Sequence, residues 1–304
     1  MSFITSFVSQ TIMYAVIYTL TSLGIVIGGR TGVFNISGEG VLLASASCGF
    51  ITSYLTGSWI VGFIVAAIVG AAFGLVFEFI HETYKVNQII LGITFFIFGT
   101  GLSDLLYKII IGVRLSAPRA PSVPQVSIPF ISKIPIISAF FNQNMIVYFM
   151  YIAVIVAYWF FYKTKIGLDT RAIGENPRAA DVVGVNVKKR RFLAVIIGSS
   201  LMGIAGAYLP VVITSTYSTG MSAGRGFISI GIAIFASWKP QRTILGGLLF
   251  AGIEVAALQL QAISQEIPYQ FFLMLPFISL LIVMVIFRKQ IEYPASVGNP
   301  YSRE

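Results

Sequence analysis

"GLDTRAIGENPRAADVVGVNVKKRR", residues 167 to 191, is a polar, charge-rich stretch in a chain that is otherwise mostly apolar. It has the local features of a short water-facing helix. Asn176 is a good N-cap, Pro177 suits the first helical position, Arg178 and Asp181 stand at i,i+3, and Gly184 suits a left-handed residue at the C-terminal end. The spacing predicts one helix of about two turns, and isolated helices shorter than roughly 12 residues are marginal in water. This one must dock on something. Ala179, Ala180, Val182 and Val183 are expected to be exposed and to offer a small apolar face for that contact. A loop whose basic residues only fix topology is the competing reading; it accounts for Lys188 to Arg191 but not for a capped helix.

The surroundings of that stretch set the fold class. With 57% hydrophobic, 14% aromatic and only 10% charged residues, and a mean hydropathy of +0.88, the 304-residue chain is far too apolar for a soluble domain, where about a quarter of residues are charged. It reads as an all-α polytopic membrane protein. A lone Cys48 and a lone His81 give no cluster of metal-ligand spacing. MSFITSFVSQ at the start lacks a basic n-region, so the apolar run that follows reads as a retained span.

Apolar runs near the roughly 20 residues needed to cross a bilayer lie at 8 to 28, 58 to 80, 86 to 111, 144 to 162, 192 to 213, 243 to 262 and 270 to 287. Two more, 33 to 55 and 217 to 238, are short or interrupted by glycine and charge, giving eight or nine crossings. The net charge of +9 is spread between spans and does not point to nucleic acid. By the positive-inside rule, an outside N-terminus and an inside C-terminus leave only Lys108, Arg114, Arg119, Lys133 and Arg225 of the 20 Lys and Arg outside, if both interrupted runs cross fully. In this reading a single transmembrane unit, 1–304, carries a loop at 112–143, a loop at 163–191 with the short helix, and a tail at 288–304. The first is external; the other two are cytoplasmic. Pro118, Pro121, Pro124, Pro129 and Pro135 make the external loop extended and turn-rich, an ordered cap.

The interrupted runs share a pattern. "SGEGVLLA" at 37 to 44 and "AGRGFISI" at 223 to 230 both read small residue, Gly, charge, Gly, then apolar run. In the topology above they run in opposite directions, as members of an inverted repeat would, and transporters place substrate at such broken helices. Asn35, Ser37, Glu39, Ser222 and Arg225 are therefore the candidates for a translocation path. Glu39 has two readings: a functional group at membrane depth, or a carboxylate that caps a half-helix or pairs with a basic residue, which we favour. Glu254 and Asp104 share that ambiguity. Gly70xxxGly74 and Ser199xxxGly203xxxAla207 are small-residue spacings for close helix packing.

The run Gly167 to Val185 resembles the cytoplasmic coupling segment of permease subunits of ABC importers, in the branched-chain amino acid, simple sugar and nucleoside superfamily. "RTGVFNISGEG" at 30 to 40, "VNQIILG" at 86 to 92, "IPIISAFFNQN" at 134 to 144 and "GMSAGRGFISIGIAIFASWKP" at 220 to 240 extend the likeness over nearly the whole chain. Within the superfamily it is most similar to nucleoside and sugar permeases that work beside a second, longer permease. Gly29, Thr31 and Ala236 depart from the usual pattern, which weakens transfer of a substrate. The resemblance implies that Glu175, Asn176, Pro177, Arg178, Ala179, Ala180, Asp181, Val182, Val183 and Gly184 fit a groove on a separate ATPase subunit. It also implies a second, non-identical permease, an extracytoplasmic substrate-binding protein and residence in the plasma membrane. ATP would be used by the partner subunits and no cofactor bound by this chain.

The chain carries no GxxxxGK[ST] phosphate loop, in keeping with that division of labour. "GMSAG" at 220 to 224 matches the serine-hydrolase elbow, but His81 precedes Ser222 and is expected at the other membrane face, against the required order. An ion-coupled secondary transporter using Glu39, Asp104 or Glu254 is the more serious rival, and a branched-chain amino acid permease the nearer one.

Overall fold

A computed structural model describes residues 3–112, 117–127, 138–263 and 268–301. The elements run α1 (Phe3–Gly29), α2 (Gly38–Thr56), α3 (Trp59–Tyr84), α4 (Gln88–Ile110), β1 (Gln125–Ser127), α5 (Ser138–Phe141), β2 (Asn142–Asn144) and α6 (Met145–Lys163). Then come α7 (Lys165–Glu175), α8 (Pro177–Val182), α9 (Val187–Tyr208), α10 (Arg225–Phe235), α11 (Pro240–Ile263) and α12 (Tyr269–Phe287). A π-helical turn, Leu209–Ile213, prolongs α9 across Pro210, whose missing N–H breaks the regular ladder.

Among the described residues, seven helices are long and apolar enough to cross a membrane: α1, α3, α4, α6, α9 with its π turn, α11 and α12. They coincide with the seven uninterrupted runs of the sequence. The two interrupted runs resolve differently from each other. In the first, the break precedes the helix: residues 30–37 are irregular and α2 is then continuous for 19 residues, about 28 Å. Its Glu39 and its serines are tolerated because the helix is enclosed by protein. In the second, α10 has only 11 residues, about 16 Å, half of the roughly 30 Å hydrocarbon core.

α1 and α2 form the interior. Around them α4 packs beside α3, α3 beside α9, α6 beside α11, α11 beside α12, and α12 beside α10. Extensive contacts join neither α9 to α6, which both pack on α1, nor α4 to α12, which leaves the ring open at these two places. The tightest seam is α3 on α9, where the two small-residue spacings face each other. A Cβ on Gly70 would meet the Ser199 carbonyl and the Gly203 Cα, and one on Gly74 the Ser199 side chain. Gly70→Leu is expected to lose roughly 2 kcal/mol by prising the pair apart, read as a lower unfolding temperature in detergent. Gly101→Leu, at a position with open space around it, should leave that temperature unchanged.

The proline-rich loop is extended where it is described. β1 pairs antiparallel with β2, the Ala120 N–H donates to the Ser215 carbonyl at 2.9 Å, and the Tyr148 hydroxyl donates to the Val126 carbonyl at 2.9 Å. Arg114, Pro129, Lys133 and Pro135 lie outside the described residues, as does Arg303 in the tail.

Candidate functional site

The two broken segments meet end to end. α2 and α10 start against each other and run apart: α2 follows α9 past Gly206 and Ala207, while α10 ends at Phe235, just before Trp238, which lies on Gly29 at the far end of α1. The junction is built on Glu39, in the first turn of α2 and 3% exposed. Its Oε1 accepts from the Ser222 hydroxyl at 2.6 Å and from the Gly224 N–H at 2.8 Å, and its Oε2 from the Gly226 N–H at 2.6 Å. A carboxylate thus satisfies two backbone donors at the N-terminus of α10 and faces the positive ends of two helix dipoles. Of the two readings of Glu39, the geometry is that of a cap, with one difference: the capped half-helix is the other one.

Gly226 is required here. A Cβ on it would meet the backbone N–H and Cα of Glu39 and one of its carboxylate oxygens, so only glycine lets the two helix starts touch. On the other side of α10, Arg225 donates through Nε to Glu254 of α11 at 3.0 Å and through Nη2 to the same oxygen. The Tyr18 hydroxyl of α1 donates to the second Glu254 oxygen at 2.6 Å. Arg225 also donates to the carbonyls of Met221 and Ser222 at 2.9 and 3.2 Å. Two carboxylates, Glu39 and Glu254, therefore clamp the start of α10 from two sides.

The remaining candidates fall in a separate place. Asn35 donates to the Ser199 hydroxyl at 3.0 Å and accepts from the Ser37 hydroxyl at 2.5 Å, holding the irregular segment 33–37 against α9. Asn35, Ser37, Glu39 and Ser222 are all buried. Of the five, Arg225 borders a cavity, a small one of about 70 Å³ shared with Tyr18, Glu254 and Phe277. The serine-hydrolase alternative has no geometry: Ser222 donates to Glu39, while His81 contacts the Val86 carbonyl and Gln88.

Open polar surface lies beside the junction instead. Residues 214–224 descend from the level of Phe50, which Tyr217 touches, to that of Glu39, eleven residues or about 17 Å along α2. Ser218, Thr219, Gly220 and Ala223 of this segment are exposed, in the opening between α4 and α12.

At the far end of the bundle the charge-rich stretch folds as two helices. α7 was not expected; Thr164 caps it by accepting from the Gly167 N–H at 3.0 Å. α8 has the expected caps: Asn176 Oδ1 accepts from the Ala179 N–H at 3.0 Å, Pro177 opens the helix, and Gly184 takes φ +88°. Val182 and Val183 are 88% and 77% exposed, whereas Ala180 is only 4% exposed. Ala180 therefore does not belong to the exposed face assigned to it: it packs inward with Ile173, Val187 and Tyr301. Lys188 to Arg191 are also not loop, because α9, capped by Asn186, begins at Val187, five residues before the expected span.

What holds α7 and α8 down is the tail. The Tyr301 hydroxyl donates to Asp181 at 2.8 Å, and the Ser296 hydroxyl to the carbonyls of Ile173 and Gly174 at 3.1 and 2.7 Å. The Gly298 N–H donates to the Gly32 carbonyl at 3.1 Å. Lys239 pairs with Glu292 at 3.0 Å and holds that carboxyl below its ordinary range. Arg30 Nε donates to the Trp238 carbonyl at 2.6 Å, fastening the loop before α2 to the end of α10. A signal for the tail existed in the turn-forming run "YPASVGNPY" at 293 to 301, with a tyrosine at each end.

Residues 7–284 match the family model described as branched-chain amino acid transport system, permease component. The chain is 34% identical over 87% of its length, and 80% of the relative, to a Haloferax volcanii protein named as a glucose ABC transporter permease, TsgC13. It is 29% identical to the nucleoside ABC transporter permease NupC of Lactococcus lactis, over 97% of this chain and 96% of that one. The guanosine ABC transporter permease NupQ of Bacillus subtilis is 26% identical over 97% and 95%. Both the broken-helix junction and the capped helix α8 lie inside the matched region, and the chain belongs to the family of branched-chain amino acid transport system permease components.

Proposed function

We propose that this chain is a membrane-embedded permease subunit of an ATP-driven importer for nucleosides or simple sugars, powered by ATPase subunits on which α8 docks. The observation that carries the coupling role is the exposure of Val182 and Val183 on a capped six-residue helix, an apolar surface on a charged rim. The N-terminus lies outside and the α7–α8 end in the cytoplasm, in keeping with the basic residues there. A binding protein outside delivers the substrate.

The path runs through the opening between α4 and α12, closed by a second, non-identical permease. Irregular backbone at membrane depth is tolerated only against protein or a water-filled cavity, and the exposed residues Ser218, Thr219, Gly220 and Ala223 supply such backbone on that side. Motion of α8 passes by Asp181–Tyr301 and Gly174–Ser296 to the loop at Gly32, and by Arg30–Trp238 to the end of α10. α10 is thereby tilted about its clamped start at Glu39 and Glu254.

Uptake of labelled nucleosides, sugars and branched-chain amino acids tests this, in cells with and without the chain and with the ATPase inactivated. ATPase-dependent uptake of a nucleoside or sugar is the expected result. Uptake that survives loss of the ATPase and collapses with the ion gradient would replace this reading with secondary transport.

A further inference from the structure

The second opening in the helix ring has a different chemistry. Between α6 and α9 lies a groove of about 540 Å³, floored by Ile27 of α1 and walled by apolar side chains from Phe149 to Phe160 on α6 and Leu193 to Leu201 on α9. Phe149 to Phe160 spans eleven residues, about 17 Å, close to the depth of one leaflet in a hydrocarbon core of roughly 30 Å. At its α7 end the groove turns polar, with Thr170 and Arg190 in the lining. Exposed Lys163, Lys165 and Lys189 lie in the same region of the chain. Arg190 meets Asp169 through one Nη at 3.4 Å, and a guanidinium has five N–H donors to offer.

We propose that this groove is a binding site for an anionic phospholipid, with one acyl chain along α6 and α9 and the phosphate on Arg190. The contrast with the other opening decides between lipid and protein as occupant. There, irregular backbone lies exposed at membrane depth and needs protein or water. Here the floor is an unbroken helix whose backbone is satisfied, and the walls are apolar, so hydrocarbon suffices. Arg190 in the lining adds the charge complementarity that a phosphate headgroup meets and a neutral helix would not. The inference rests on the membrane-embedded fold alone and stands or falls separately from the transported substrate.

Native mass spectrometry of the full-length protein, in its complex, tests the site after reconstitution with equal amounts of phosphatidylglycerol and phosphatidylcholine. Wild type is expected to retain phosphatidylglycerol preferentially. Arg190→Gln should reduce that preference about fivefold, the worth of one basic residue at a membrane surface. Ile197→Trp, at a half-exposed position where a larger side chain is accommodated, should reduce retention of both lipids. A benzoylphenylalanine at position 152 should cross-link to lipid. Unchanged retention in Ile197→Trp, no preference to lose in wild type, or cross-linking of position 152 to another subunit would each overturn the proposal.

Discussion

Cells carrying the double variant Arg178→Glu, Val182→Asp are expected to show no ATP-driven uptake, with the protein inserted in the membrane at the wild-type level. Both positions are exposed on α8, so neither substitution opens a cavity in the core. Val182 is the more telling. At 88% exposure it stabilises nothing within this chain, and a carboxylate there would be buried unpaired in any apolar groove that receives the helix. Truncating one such anchor typically costs 2 kcal/mol or more, and a buried unpaired charge costs more again. The combined loss is expected to exceed about 100-fold in uptake, since each 1.4 kcal/mol is tenfold. Uptake and membrane immunoblotting check the two halves separately; normal uptake would remove the docking role.

Glu39→Ala is expected to lower both the unfolding temperature and the uptake rate. The carboxylate accepts three hydrogen bonds from the start of α10, and its removal strands two backbone N–H groups and a hydroxyl in the interior. A buried donor left unsatisfied costs about 1–3 kcal/mol, while interhelical bonds inside bilayers measure lower, below about 1 kcal/mol on average. A total of roughly 2–4 kcal/mol follows, with uptake down at least about tenfold. Glu39→Gln keeps one acceptor but turns an NH2 toward donors, so it should fall between. Ser222→Ala, which removes a single bond, should cost less than about 1 kcal/mol. Loss of uptake at an unchanged unfolding temperature would instead place Glu39 in contact with the substrate.

The sequence discloses what is local. Seven spans, the Asn176 cap, Pro177 and Gly184 are each set by a few adjacent residues, and small-residue spacing announces the α3–α9 seam. Whatever depends on distant parts of the chain stays hidden. Glu39 reads as a cap, yet its partner lies nearly 190 residues away, and no spacing rule reaches that far. α7 escapes notice because Gly167 and Gly174 depress its helix propensity. They are there because α7 packs on backbone at both ends: a Cβ on Gly167 would meet Phe160 and Phe161, and one on Gly174 the Arg30 carbonyl. Ala180 is misplaced for the same reason, since the tail that buries it is far off in sequence. Among the path candidates, residue type marks the two interrupted segments but not that they meet, and it does not separate the side chains that build the junction from those that face the opening.

The hydrogen bond between Tyr301 and Asp181 joins residues 120 apart, and this orders events during synthesis. At roughly 5–20 residues per second, a ribosome needs some 6–24 seconds to reach Tyr301 after making Asp181. During that interval α8 has its caps but neither Ser296 nor Tyr301 to hold it, and a six-residue helix does not persist unaided. The spans can be threaded into the bilayer while α8 is still unheld. A ribosome-bound or prematurely terminated chain would then be integrated with α8 unheld, and on the docking role proposed above it would engage no ATPase, so the late tail contact would time that engagement to the finished chain.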